Sequence, residues 1–327
     1  MSETGVLVGL SAVIVAVRYD QPCVFIVRGA EHGAVGLTKG KAEPDDDALP
    51  FGPFDPEHHR TLELGLRSWV SEQTPFDPGY IEQLYTFGNR GRYSGQKEDG
   101  LRVMSVGYLA LTHEDVDTSD RVFWGKWYTY FPWEDWREGR PDMLDGIMIP
   151  MLKEWAVGTD DKEIKDNRLN RIKICFASDD VPWDEERVLQ RYELLYEARL
   201  IPEALRDKNL ESVDEKTVPG RMMQYDHRRI LATAMTRLRG KLKYKPVIFE
   251  LMPESFTLFE LQKTVEAISG NNLHKQNFRR LVEGTKLVEE TGQTTTRGGG
   301  RPAALFQFRS DILPETRKLG VKLSPIQ

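Results

Sequence analysis

The chain opens on an almost unbroken apolar run, GVLVGLSAVIVAV at residues 5–17. It is too short for a membrane-spanning helix and has acidic Glu3 in front of it, so it reads as a buried strand and not as a secretory signal. Tyr19-Asp20-Gln21-Pro22 leads into a second β-branched run at 23–27, which predicts a hairpin. The Gly- and Pro-rich acidic stretch 36–56 reads as loop. Between 57 and 73, Leu62, Leu66, Trp69 and Val70 recur at i, i+4, i+7 and i+8, the apolar stripe of a helix that Pro75 stops.

Strand patterns follow at 80–87 and 103–111, separated by the polar GNRGRYSGQKEDG. Aromatic RVFWGKWYTYF at 121–131 predicts another strand, ended by Pro132. The aromatic positions between 123 and 136 could cover a dimer surface, although such runs more often fill a core. Beyond them the pattern predicts a helix at 147–155, a strand at 172–176 and one long amphipathic helix at 184–206. A polar stretch, 208–225, is the best linker.

The C-terminal signals are sharper. A basic helix is predicted over 226–243. Thr257 and Glu260 form a capping box, in which the hydroxyl and the carboxylate satisfy backbone donors reciprocally, with Phe256 and Leu261 at the staple positions around it. Gly270 ends that helix, Asn272 can cap the next at 273–283, and Gly284 ends that one. Two helices across a three-residue turn containing glycine are the helix-turn-helix signature. On the second, Phe278, Leu281 and Val282 can face inward while Lys275, Gln276, Arg279 and Arg280 face outward, where such side chains read or position nucleic acid. Strands at 286–290 and 303–309 then flank TGQTTTRGGGRP, a hairpin whose tip carries Arg297 and Arg301 beside three glycines that allow close backbone approach to DNA.

Composition changes this picture in one respect. With 327 residues, 39% hydrophobic and 29% charged, two domains are the reasonable expectation. The net charge of −6 conceals an asymmetry: residues 226–327 carry 18 Lys+Arg against 10 Asp+Glu, and residues 1–225 carry 27 against 41. A basic module attached to an acidic body points to a polyanionic partner for the module. Cys23 and Cys175 lie far apart inside apolar runs and the six histidines show no metal spacing, so no disulfide framework or zinc site is indicated and a reducing cytoplasm fits.

The segment LPFGPFDPEHHRTLELGLRSWVSEQTPF resembles the Nudix box, whose helix glutamates hold a divalent metal for attack on nucleoside-diphosphate substrates. Arg67 and Glu72 match that pattern. Its other glutamates fall on Ser68, Ser71 and His59, and its terminal glycine on Thr74. Glu63, nine residues before Glu72, would sit on the opposite side of a helix, and Glu57 would lie about four turns away. One surviving carboxylate is a poor start for magnesium, so no metal site and no efficient hydrolysis are expected.

YIEQLYTFGNRGRY with LRVMSVGYLALT, and FTLFELQKTVEAISGNNLHKQNFRRLVEGTKLVEETG with GGGRPAALFQF, resemble the two halves of Nudix-related transcriptional regulators of NAD biosynthesis, in the elaborated NadQ/NrtR-like subgroup. The resemblance implies an α/β fold: a Nudix-like α/β/α sandwich with a mixed sheet at 1–207, an insertion at about 112–207, a linker at 208–225, a winged helix-turn-helix at 226–309 and a tail at 310–327. It also implies a dimeric, ligand-responsive repressor of NAD-biosynthesis genes that binds a double-stranded operator and needs no cofactor. The implied effector is an adenine nucleotide, ADP-ribose, ATP or NAD. Arg28, Lys39, Arg92 and Arg102 are then available for its phosphates, and Phe87 or Tyr93 for stacking on adenine. The alternative is an active ADP-ribose pyrophosphatase carrying an accessory winged helix.

Overall fold

The computed structural model describes residues 6–28, 46–76, 79–89, 102–114, 116, 118–178, 180–208, 217–242, 247–296 and 302–309. Its centre is a mixed sheet. Strands β1 (Val6–Arg18) and β2 (Gln21–Arg28) form the expected hairpin, turning on Tyr19 and Asp20 at positive φ. Short β3 (Asp47–Ala48) and β4 (Phe51–Pro53) pair with β2 and β1. Helix α1 (Leu62–Gln73) precedes β5 (Tyr80–Phe87) and β6 (Arg102–Leu111). The order is β3-β2-β1-β6-β5, with β1 and β6 parallel over ten residue pairs, Val6–Arg102 through Val15–Leu111.

The opening apolar run is explained by this placement. A strand covered on both faces needs apolar residues at every position. Leu10, Ala12 and Ile14 meet Leu66 and Val70 of α1 on one face. Val13 and Val15 face a larger core on the other, made by the helices that follow. Those elements are β7 (Val122–Lys126), α2 (Trp127–Tyr130), a 3-10 turn Pro132–Glu134, a π turn Leu144–Met148, α3 (Ile149–Val157), α4 (Lys162–Phe176), α5 (Val188–Glu197), α6 (Pro202–Asp207) and α7 (His227–Leu242). Helices on both faces make the α/β/α sandwich.

Several expectations change. Residues 172–176 are the last turns of α4, not a strand. Asp161 caps that helix by accepting from the amides of Glu163 and Ile164, and Ile172, Cys175 and Phe176 are its buried face. A short apolar run does not distinguish the two periods by itself. The long helix at 184–206 is two helices, because Ile201 is extended before Pro202 and Arg199 turns the chain at φ 59°. The aromatic strand stops at Lys126 and its remainder coils into α2, burying Trp127, Tyr128 and Tyr130 with Phe131 and Trp133, so those residues form core and not an open dimer surface. Helix α1 starts at Leu62, after Thr61 caps it by accepting from the Leu64 amide, and Glu57 belongs instead to a turn organised by Asp55.

The C-terminal unit comprises a 3-10 turn Val247–Leu251, α8 (Leu258–Ser269), α9 (Lys275–Thr285), β8 (Val288–Thr295) and β9 (Ala303–Phe308). Phe256 forms an isolated antiparallel bridge with Phe306, which ties the chain before α8 to the β8–β9 hairpin. Helix α7 packs on α5, on the sheet and on α8, so it is shared between body and C-terminal unit. Residues 217–225 are packed too: Val218, Met223 and Tyr225 are buried, and the Val218 amide bonds the Leu200 carbonyl. Among the described residues no helix is long and apolar enough to cross a membrane.

Candidate nucleic-acid interface and effector site

Helix α8 begins on the predicted capping box: the Thr257 hydroxyl accepts from the Glu260 amide at 3.1 Å, and Glu260 accepts from the Thr257 amide at 2.7 Å. It ends at Gly270, φ +76°. Helix α9 starts two residues later than expected, at Lys275 after His274, so Asn272 is not its cap. The turn is held by α8 instead. Glu266 accepts from the Leu273 amide (2.9 Å), Gln262 (2.8 Å) and Lys263 (2.8 Å), and Gln262 also donates to the Leu273 carbonyl (2.8 Å). Burial opposes ionisation of Glu266, but the Lys263 bond, the Leu273 amide and Gln262 outweigh it and hold its carboxyl below the usual range.

That anchoring presents one face of α9 to solvent. Phe278 and Val282 are buried and Leu281 is half-buried, while Lys275, Gln276, Asn277, Arg279 and Arg280 are exposed. Arg279 has only a loose surface partner, Glu283 at 3.9 Å. The helix ends at Lys286, in the left-handed region at φ 52°, and not at Gly284. Arg297 and Arg301 lie outside the described residues. An exposed helix face carrying three cations and two amides within two turns matches what a DNA major groove accepts.

On the Nudix-like helix the polar side chains pair with one another. Ser68 donates to Glu72 Oε1 at 2.9 Å, so the residue standing where the pattern has a glutamate is a hydrogen-bond partner of the surviving one. Ser71 and Glu72 are exposed, and Glu63 pairs with Arg67 at 3.0 Å. Thr74, at the pattern's terminal glycine, is extended (φ −140°) and bonds the Val70 carbonyl through its amide and hydroxyl, so no left-handed residue is needed there. Gln73 clips α1 to the sheet through both the amide and the carbonyl of Phe51. Among the described residues no cluster of three or more His, Cys, Asp or Glu could hold a metal ion.

Of the expected effector residues, Arg28 sits at the end of β2, 2.6 Å from buried Asp47 and stacked on Phe123. The Asp47 carboxylate also accepts from Tyr130 (2.7 Å) and pairs with Arg221 (2.9 Å), a constellation of sequence-distant residues that no local pattern announces. Phe87 is a correction: only 4% exposed, it is packed beneath α7 with Arg229 over its ring, and it cannot stack on an adenine. Arg102 opens β6. Lys39, Arg92 and Tyr93 lie outside the described residues.

Residues 248–308 match the family described as the NrtR DNA-binding winged helix domain. That match spans α8, α9 and the β8–β9 hairpin. An ADPR responsive transcriptional repressor NtrR from Acinetobacter baylyi is 43% identical over 86 residues, 26% of this chain and 34% of that protein. The chain thus matches about a third of the length of that curated relative. Shewanella oneidensis NrtR, in a crystal structure with a 27mer DNA, aligns over 97% of this chain and 99% of its own at TM-score 0.52 and 21% identity. A MutT/nudix family protein from Enterococcus faecalis aligns over 94% and 88% at TM-score 0.51 and 16% identity. Both alignments run through the α/β body and the C-terminal unit, so the chain shares its fold with these two structures.

Proposed function

We propose that this chain is a ligand-responsive transcriptional repressor of NAD-biosynthesis genes, acting in the cytoplasm as a homodimer on a double-stranded operator. The observation that carries this reading is the exposed Lys275, Gln276, Arg279 and Arg280 face of α9, held by the Glu266 network in an NrtR-type winged helix. A single helix-turn-helix reads one half-site, so two copies, with α9 helices about 34–36 Å or a multiple apart, would span an operator. Arg297 and Arg301, which lie between β8 and β9 in the sequence, would add phosphate or minor-groove contacts.

ADP-ribose is the favoured effector over ATP and NAD, because a relative 43% identical over 86 residues is named for its response to it. Arg28, Lys39, Arg92 and Arg102 are the cations proposed for its phosphates, with Tyr93 for its adenine. Ser68 and Ser71 make the body a sensor: the helix lacks the carboxylates that would hold a metal, so ligand is bound without being consumed. Cys23 and Cys175 are buried free thiols, and burial lifts Cys23 to about 11, which keeps both unreactive in a reducing compartment.

Two measurements test the reading. Specific DNA binding by mobility shift should weaken with salt, and Arg279→Ala with Arg280→Ala should lower affinity by about 10- to 100-fold; an unchanged shift rejects α9 as the reader. Incubation with ADP-ribose and magnesium should give a rise in melting temperature with negligible turnover, since preferential binding to the folded state stabilises it. Turnover at the rate of ordinary Nudix enzymes would favour the hydrolase alternative.

A further inference from the structure

We infer that residues 128–137 form a strap by which the body fixes the orientation of the recognition helix, with Tyr128 and Asn272 as its positioning residues. Helix C-termini leave carbonyls without intrahelical partners, and these normally turn to water or to a local cap. At the end of α8 the body takes that place. The Tyr128 hydroxyl donates to the Ala267 carbonyl at 2.8 Å, Arg239 Nε of α7 to the Ile268 carbonyl at 2.9 Å, and the Trp136 amide to the Gly270 carbonyl at 2.8 Å. A Cβ on Gly270 would lie 2.5 Å from the Glu134 carbonyl oxygen and 2.9 Å from both Arg239 Nη2 and the Tyr128 hydroxyl, so the chain turns in contact with the strap and only glycine fits.

The hold continues into the turn before α9. The Asn272 side-chain amide donates to the Arg137 carbonyl. The Arg137 guanidinium is bonded to the Asp20 carbonyl (2.6 Å) and Gln21 Oε1 (3.0 Å) in the β1–β2 turn, and to Asp135. A bonded path therefore runs from the central hairpin of the sheet through Arg137 to the helix-turn-helix turn. At its other end the strap carries Tyr130, which donates to Asp47, the same carboxylate that pairs with Arg28 and Arg221. Those guanidiniums are 25% and 42% exposed, so an anion that recruits either one weakens a bond network ending on Tyr130, two residues from Tyr128.

This route gives a ligand on the body a way to favour one orientation of α9 over another, which is what a change in DNA affinity requires. It rests on the regulator reading for its purpose but not for its geometry, and the experiment separates the two. Cysteines at exposed Ser71 of α1 and Glu283 of α9 would be nitroxide-labelled, the native thiols being buried, and the protein diluted with unlabelled chain so that only intramolecular distances are read by pulsed EPR. The unaltered strap should give one narrow distribution. Tyr128→Phe with Asn272→Ala should broaden it while near-UV circular dichroism of the body is unchanged, and should lower operator affinity about 10-fold with loss of the ADP-ribose response. Tyr128→Phe alone, which keeps the ring, guards against a double variant that fails to fold and should give a smaller broadening. A distribution as narrow as that of the parent in both variants overturns the strap. Broadening in a protein that binds no DNA upholds the strap and rejects the regulator.

Discussion

Replacing Glu134 by glutamine is expected to destabilise the protein by about 3–5 kcal/mol, the usual consequence of breaking a buried ion pair from one side. Glu134 is 1% exposed and its carboxylate meets two buried guanidiniums, Arg191 at 2.6 and 2.8 Å and Arg239 at 2.8 Å. Two cations on one carboxylate would leave excess charge in the core, and backbone carbonyls offset it: those of Cys175 and Asp184 for Arg191, and of Glu185, Ile268 and Glu134 itself for Arg239. Arg191 also lies over the Trp183 ring at 3.8 Å. Glutamine keeps the shape but turns a two-oxygen acceptor into one oxygen and an amide that faces a guanidinium. Against a total stability of about 5–15 kcal/mol, that loss is large. Thermal unfolding followed by near-UV circular dichroism should show a fall of roughly 10 °C, and a fall within experimental error would mean that the carbonyls alone satisfy both arginines.

The second large effect is a pH dependence set by His227. Its ring is buried at the start of α7, its Nδ1 accepts from the Leu49 amide at 3.1 Å, and Phe51 and Tyr225 pack edge-on against it. Burial first, and the nearby Arg206 charge second, lower its pKa from 6.5 to about 3. The unfolded chain therefore takes up the proton first. Stability from this group is complete above pH 6.5 and is lost progressively as pH falls toward 3, by on the order of 5 kcal/mol across the whole window. About 2 kcal/mol of that is gone by pH 5. Denaturant titrations between pH 7 and 5 should show the decline, and His227→Gln should flatten it. An equal slope in the variant would assign the dependence to other groups.

The presence of α8 and α9 was legible because its signals are local, although the exact ends of α9 were not. A Thr and a Glu three residues apart, a glycine at a helix end and an apolar 278–281–282 stripe each act within one or two turns, and the structure places them as read, with Lys275, Gln276, Arg279 and Arg280 exposed. The same holds for the β1–β2 hairpin and for the serines on α1, whose positions in a helix follow from periodicity alone. Misreadings fell where local signals are ambiguous. The 172–176 run suits a strand or a buried helix face equally, and Asn272 is a good capping residue that found a better partner in the Arg137 carbonyl. Phe87 resembled a ligand platform because nothing near it in the chain says that α7 lies over it.

Periodicity, caps and a charge that changes sign near residue 226 therefore pointed, without coordinates, to a basic helix-turn-helix after an acidic α/β body. Only the tertiary structure decided how the two parts are joined. Glu134 meets Arg191 and Arg239 across 57 and 105 residues, and Tyr128 meets Ala267 across 139. A buried charge is tolerated wherever folding brings it a partner, and sequence separation carries no record of which partner that is.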